Sequence, residues 1–501
     1  MFQGTASSVG KSLLVIALCR ILHQDGYRAM PFKAQNMALN SFATKEGLEM
    51  GRAQVTQAQA ACVEPSVRMN PVLLKPTSDH ASQVIVNGRP IGVMNAREYQ
   101  AYKPKLRPVV AEAYRALAET CDFVVLEGAG SPAEINLREG DIVNMGMAEI
   151  ADAPVLLVGD INLGGVFASL LGTVMLLSDE ERARIKGVVI NKFRGDVRLL
   201  EPGLRMLEER IHIPVLGVIP WMEVDLEDED SANDRFIGNV KQNDVDVAIV
   251  RLRHISNFTD FQHLDKLPGV SVHYVTEPEQ LKGADIVILP GSKSTVADLE
   301  ALRAEGMDEA LLRHAGDGGL LIGICGGYQM LAKRLLDPER VESGAESTEG
   351  LGLLDMEVRF GREKVTVQAE GRVCAEEGWL GGCAGIRTTG YEIHMGENAY
   401  GEGCLPWLQL TRLDGAGQPR MDGRMNREGN VLGTYLHGLF DEGELWREIV
   451  NHVRRRKELP PLTEAMASAE ALREQSFDRL AKVVRESLDM EAVYRILRGE
   501  A

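Results

Sequence analysis

Short, β-branched apolar runs recur along this chain, and longer amphipathic stretches separate them. That alternation leaves few folds open. FVVLEGAG (123–130), APVLLVGDI (153–161), GVVINKF (187–193) and PVLGVIP (214–220) are apolar almost throughout and end in Gly, Asp, Asn or Pro. A strand covered on both faces has no need of polar alternation, so these read as buried parallel strands. The segment Ser12–Gln24 places Leu14, Leu18, Ile21 and Leu22 on one helical face. Strand–helix alternation of this kind predicts a doubly wound α/β sheet. The same pattern starts again after an acidic, nearly apolar-free stretch, DLEDEDSAND (225–234), with VDVAIVRL (245–252), VSVHYV (270–275), ADIVILPG (284–291) and GLLIGIC (319–325). Residues 358–440 carry more Gly and shorter alternating runs, as antiparallel additions would. Residues 461–498 read as helical and are expected to cap the second domain.

A chain of 501 residues is long enough for two or three domains. The expected division is 1–224, an acidic linker at 225–243, a second domain at 244–450 and a helical extension at 451–501. Apolar residues make up 45% and charged residues 26%, ordinary values for a folded protein. The net charge of −18 makes the chain a poor general binder of nucleic acid or anionic membrane, so an anionic ligand needs a local, preorganised site. Seven cysteines without a C-x-x-C pair indicate neither a disulfide framework nor a zinc ribbon. With no apolar run long enough to span a bilayer and no signal-peptide pattern, the expected compartment is the reducing cytoplasm.

GTASSVGKS (4–12) precedes the first amphipathic helix. It resembles a phosphate-binding loop, with five residues rather than four between Gly4 and Gly10. Backbone N–H groups of such a loop wrap phosphates at the helix N-terminus. Gly4, Thr5, Gly10, Lys11 and Ser12 are the expected nucleotide contacts. Lys11 reaches toward the β- and γ-phosphates, and the Ser12 hydroxyl is an expected Mg²⁺ ligand. Glu127, at the end of the run VVLE, is the expected second metal ligand, with Asp160 the competing acid. Asn191 ends another strand and is the expected reader of an adenine edge. Only Met1, Phe2 and Gln3 precede Gly4. Either the first strand is unusually short or the true start lies a few residues upstream.

GLLIGICGGYQMLAKRL (319–335) reads as a strand, a tight turn and a helix. Cys325 sits at the turn between Gly323 and Gly327, the G-x-C-x-G pattern of a nucleophile elbow. The helix N-terminus behind it favours a thiolate, and backbone N–H groups there suit an oxyanion. Gly291 and Gly326 are the candidate donors. The expected acid/base partner is His437, just beyond the apolar run in GNVLGTYLHGLFD (429–441), with His394 as rival.

With these residues in hand, the chain resembles the glutamine-hydrolysing adenosylcobyric acid synthase family nearly end to end. QGTASSVGKS, PFKAQNMALNSF (31–42), GRAQVTQAQAAC (51–62), MNPVLLKPTSDHASQVI (69–85), LEGAGSPAEINL (126–137), PGSKST (290–295), GICGGYQML (323–331), YEIHMG (391–396) and TYLHGLF (434–440) match its pattern in order. The resemblance implies an N-terminal P-loop-type synthetase domain and a C-terminal class I glutamine amidotransferase-like domain. It implies ATP and Mg²⁺ as cofactors, and glutamine and adenosylcobyrinic acid a,c-diamide as substrates. The b, d, e and g carboxylates of the corrin would become carboxamides. Cys325 carries over as glutaminase nucleophile and His437 as its acid/base partner. Many glutaminases have Glu two residues after the histidine. Here that position is Leu439, so either another group orients His437 or the pair works as a dyad, with Asp441 and Glu442 the nearest acids in sequence. The polar block Lys33–Asn40 and the Ser78–Asp79 pair are expected on the corrin side.

Two other readings share most of these motifs. One is a cobyrinic acid a,c-diamide synthase, which amidates only the a and c carboxylates. The other is a regulatory P-loop ATPase with an inert glutaminase-like domain, against which the presence of both Cys325 and His437 argues.

Overall fold

The computed structural model describes residues 1–78, 80–226, 244–414 and 418–500, with the side chain of Ser78 excepted. Most of the expected acidic linker (227–243) and Asp79 of the expected Ser78–Asp79 pair lie outside the described residues. The chain forms two compact units: Met1–Ala38 with Met50–Glu229 and Leu472–Ala501, and Leu39–Glu49 with Asp230–Ala471.

In the first unit, parallel strands run in the order Ala29–Phe32, Phe123–Leu126, Phe2–Gly4, Val155–Asp160, Ile185–Phe193 and Val215–Pro220, with a bridge between Phe2 and Glu127 completing the series. Val155, Leu157, Val158, Val188, Val189 and Ile190 are fully buried, as expected for strands covered on both faces. The helix Lys11–Gln24 lays Leu14, Val15, Ile21 and Leu22 against them. A smaller sheet is formed by Gln35–Met37, Val72–Ser78, Ala81–Val86 and Arg89–Asn95. Asn95 then starts the helix Ala96–Ala118 with a capping box that Glu98 closes.

The C-terminal helices correct one expectation. Leu472–Ala501 belongs to the first unit and does not cap the second. Phe477, Leu480, Ala481 and Val484, from the helix Ala469–Ser487, join the apolar cluster of Leu18, Ile21 and Leu22. Arg20 bonds Glu474 (2.7 Å) and Asp478 (2.8 Å), and Arg485 bonds Asp25 (2.9 Å). An amphipathic pattern says that a helix buries a face but not against what, so sequence proximity to the second domain was a poor guide.

In the second unit, parallel strands run in the order Val270–Val275, Val245–Val250, Ile286–Leu289, Leu320–Ile324 and Val431–Thr434. The sheet continues through antiparallel strands Arg420–Met425, Leu405–Arg412, Met356–Val373 and Arg387–Tyr400, within the region expected to supply them. Leu39–Glu49 also belongs here, although it lies within the expected 1–224 domain. Strand Ser41–Ala43 opens a hairpin whose turn is closed by Thr44 N–H donating to Leu48 O at 2.8 Å. No helix among the described residues is long and apolar enough to cross a membrane.

Candidate active sites

In the first unit, the loop after strand Phe2–Gly4 is tied down on three sides. Thr5 N–H donates to Val158 O (2.9 Å). Lys11 Nζ donates to Ala6 O (3.0 Å) and Gly130 O (3.1 Å). Asn191 Nδ2 donates to Val9 O (2.8 Å), so its carboxamide braces the loop from below. Gly10 has φ +97°, and a Cβ there would lie 2.2 Å from Asn191 Nδ2, so only glycine fits.

Glu127 is 2% exposed, at the end of its strand. Its carboxylate accepts from Ser12 Oγ (2.8 Å), Lys33 Nζ (3.0 Å) and Gln57 Nε2 (2.5 Å). The two expected metal ligands, Ser12 and Glu127, are therefore in direct contact. Gln57 Oε1, beside them, is buried without a hydrogen-bond partner among the described residues. A hydroxyl, a carboxylate and an orphaned amide oxygen form the hard oxygen set that Mg²⁺ takes alongside nucleotide phosphates. The residues fit the metal. The competing acid Asp160 is instead paired with Lys192 Nζ at 2.9 Å, and Lys192 also donates to Ser8 O at 2.6 Å. Lys33 and Gln57 were not singled out from sequence as partners of Glu127. Nothing in a linear reading distinguishes them from the other polar residues of their blocks.

In the second unit, strand Leu320–Ile324 ends at Cys325, whose backbone takes φ 51° and ψ −108°. A non-glycine residue there is strained, as expected at a nucleophile elbow. Close packing underneath holds the turn. A Cβ on Gly327 would lie 2.0 Å from Leu289 O. Cys325 N–H donates to Thr434 O (2.9 Å), at the end of the strand that leads into His437. Cys325 is 7% exposed, and its thiol donates to Ile393 O at 3.4 Å.

His437 is 1% exposed, and its Nδ1 lies 2.7 Å from Asp260 Oδ2. The other oxygen of Asp260 accepts Gly438 N–H at 3.1 Å. Burial favours the neutral ring, but the charge and hydrogen bond of Asp260, with Cys325 on the other side, outweigh it and raise the His437 pKa to about 10. Nε2 has no hydrogen-bond partner among the described residues. Nδ1 is thus held, and Nε2 is left to exchange a proton. Gly291 and Gly326 flank the pair. A Cβ on Gly291 would lie 3.4 Å from His437 Cε1, and one on Gly326 would lie 2.7 Å from Ser292 N.

Asp260 is the group that sequence reading missed. It lies in SNFTDFQ (256–262), 177 positions before His437, while the acids considered were sequence neighbours. Of those, Glu442 accepts from Thr389 Oγ1 (2.8 Å). The available signal was an acid between two phenylalanines, Phe258 and Phe261, in a stretch that becomes a buried 3₁₀ turn. His394, the rival base, is stacked on Tyr435 with ring centres 3.7 Å apart, and its Nε2 lies 3.6 Å from Glu392. Glu392 is fully buried and paired with Arg412 (2.9 Å) and Arg420. Burial works against its charge, but His394 and the two arginines overcome that and hold its pKa at about 2.

A strained cysteine at the end of a parallel strand, with a buried imidazole beside it, is the thiol-nucleophile arrangement of a glutamine amidotransferase, here on a mixed sheet and in one chain with a P-loop nucleotide-binding unit. Residues 246–445 match the CobB/CobQ-like glutamine amidotransferase domain, and residues 1–233 match the CobQ/CobB/MinD/ParA nucleotide binding domain. The chain is similar along its length to the cobyric acid synthase of Alkaliphilus metalliredigens, 53% identical over 100% of both chains. It is 52% identical to that of Photorhabdus laumondii and 50% identical to that of a Thermoanaerobacter species, in each case over 99% of this chain and 98% of the other. The chain belongs to the cobyric acid synthase family, and it is an amidoligase that carries its own glutamine amidotransferase domain.

Proposed function

We propose that this enzyme converts the b, d, e and g carboxylates of adenosylcobyrinic acid a,c-diamide into carboxamides, one glutamine and one ATP for each, in cobalamin biosynthesis. The observation that carries the reading is the buried Asp260–His437 contact (2.7 Å) beside the strained Cys325, in a chain of this family. A carboxylate is a poor acyl donor because its oxygen does not leave. Mg·ATP, when bound, supplies the phosphoryl group that makes it a good one. Lys11 and the loop N–H groups would hold the phosphates, and Ser12 and Glu127 would hold the metal. Lys33 and Gln57 fix the Glu127 carboxylate, so the cradle is preorganised rather than assembled on binding.

In the glutaminase unit, the Cys325 thiol gives its proton to His437 Nε2 and its sulfur attacks the side-chain amide carbon of glutamine. The C–N bond breaks as His437 gives its Nε2 proton to the departing nitrogen. Water then hydrolyses the thioester, releasing glutamate and restoring the thiol. Asp260 keeps the imidazole oriented and stabilises its charged form, a role that needs no proton transfer to the carboxylate. The N–H groups of Gly291 and Gly326 are the donors for the oxyanion. Ammonia displaces phosphate from the activated corrin carboxyl and leaves a carboxamide.

The test is the mass of the corrin product after incubation with adenosylcobyrinic acid a,c-diamide, glutamine and Mg·ATP. Four added amides are expected. No added amide on that substrate, with turnover of cobyrinic acid at its a and c positions, would replace this reading with the a,c-diamide synthase activity.

A further inference from the structure

The segment Leu39–Glu49 comes from the N-terminal part of the chain, outside the matched glutamine amidotransferase region 246–445, yet it is built into the glutaminase unit. Each member of the catalytic group is one residue away from it. Ser41 N–H donates to Asn257 Oδ1 at 2.9 Å, and Asn257, in a left-handed conformation (φ 52°), starts the turn Phe258–Phe261 that carries Asp260. The Phe42 ring packs on Tyr391 with centres 4.9 Å apart. Tyr391 stacks on the His437 imidazole at 5.3 Å, and the two residues exchange backbone hydrogen bonds of 2.9 and 3.2 Å. Ala43 is fully buried against Tyr391 and Ile393, and Ile393 O accepts the Cys325 thiol.

The hairpin is itself anchored at both ends. Gln368 Nε2 donates to Ala43 O (3.1 Å), and the buried Glu49 pairs with Lys364. Covering a hydrophobic patch needs neither a side-chain acceptor for the Ser41 amide nor a ring packed at 59° to the residue that backs the imidazole. Those contacts tie down the residue that starts the turn carrying Asp260 and the strand residue whose backbone pairs with His437.

We infer that the hairpin Leu39–Glu49 is a positioning element of the glutaminase, with Phe42 as the positioning residue for His437 and the Ser41–Asn257 bond as the brace for Asp260. The inference rests on the glutaminase reading above. A displacement of a catalytic group by about 1 Å can cost on the order of a hundredfold in rate.

The experiment measures glutamine hydrolysis and ammonia-supported corrin amidation on the full chain. Phe42→Ala is expected to lower kcat for glutamine hydrolysis by about tenfold to a hundredfold with KM for glutamine little changed, and to spare amidation fed by ammonium. Phe42→Tyr, which keeps the ring, is expected to restore most of the kcat. Asn257→Gly keeps the left-handed backbone, removes the acceptor, and is expected to lower kcat in the same way. The inference is overturned by unchanged glutamine hydrolysis in a folded Phe42→Ala or Asn257→Gly protein, by equal loss of both activities, or by a change confined to KM. A Cys325→Ala control separates the two levels. If it keeps glutamine use, the glutaminase reading itself fails; if it loses it while Phe42→Ala does not, only the hairpin's role fails.

Discussion

Asp260 and His437 stand 177 positions apart in sequence and meet at 2.7 Å between Oδ2 and Nδ1, both almost fully buried. Many glutaminases carry a glutamate two residues after the histidine, where this chain has Leu439; here the carboxylate on the imidazole comes from a different loop, and on the function proposed above the glutaminase has three members in the order Asp260, Cys325, His437.

Removing that carboxylate tests the arrangement. Asp260→Asn is expected to lower kcat for glutamine hydrolysis by up to about 10⁴-fold, as when an imidazole-orienting acid is replaced by its amide. The sign of the pH effect follows from the charge. His437 must be protonated to give its proton to the leaving nitrogen, and Asp260 with Cys325 holds its pKa at about 10. Activity should fall as pH rises through that value, and in Asp260→Asn the alkaline limb should move to lower pH. A pH–rate profile of glutamine hydrolysis reads both; an unmoved limb would remove Asp260 from the mechanism.

The nucleotide site predicts a different pattern of loss. Lys11→Ala or Glu127→Gln should reduce corrin amidation by about 10²-fold or more, equally with glutamine and with ammonium, because activation of the carboxylate precedes use of either nitrogen source. Chelating Mg²⁺ should do the same to the parent protein and reverse on adding it back. Initial rates with each nitrogen source distinguish this from a glutaminase defect, which ammonium bypasses.

Return of the C-terminal helices to the first unit has a stability consequence. Phe477 is fully buried in the cluster that includes Leu18 and Ile21. Phe477→Ala should cost about 3–5 kcal/mol. The loss should appear in the unfolding of the nucleotide-binding unit, followed by the nucleotide-induced shift in Tm. A loss confined to the glutaminase unit would contradict the assignment.

The buried Glu392 gives an acid-side prediction. Its folded pKa of about 2 lies below the ordinary glutamate value of 4.5, so its contribution to stability is fully present above 4.5 and is lost as pH falls toward 2. Arg412→Met leaves the carboxylate buried with weaker compensation. It should destabilise the protein by up to about 3 kcal/mol and move acid unfolding to higher pH. Circular dichroism during acid titration checks it.

Much of this was legible in the sequence for identifiable reasons. The strands at 155–160 and 320–324 are continuous apolar runs, and both reaction centres sit at strand ends marked by small residues. Cys325 and Ser12 needed only their immediate neighbours to be recognised. Long-range contacts in which neither partner carries a local motif were not legible. Asp260 carries no local mark that ties it to His437, and the hairpin at 39–49 looks like any polar stretch until Ser41 and Phe42 are seen against Asn257 and Tyr391. The helix holding Phe477 showed its apolar face but not the surface it would cover.

On the proposed function, a thiol-based ammonia source and a nucleotide-dependent acid-activating site work in one chain. Corrin product formed by Cys325→Ala tests it most directly, measured by mass spectrometry with Mg·ATP and either glutamine or ammonium as nitrogen source. No added amides are expected with glutamine, and the full set with ammonium. Amidation from glutamine at the parent's rate in that variant would contradict it.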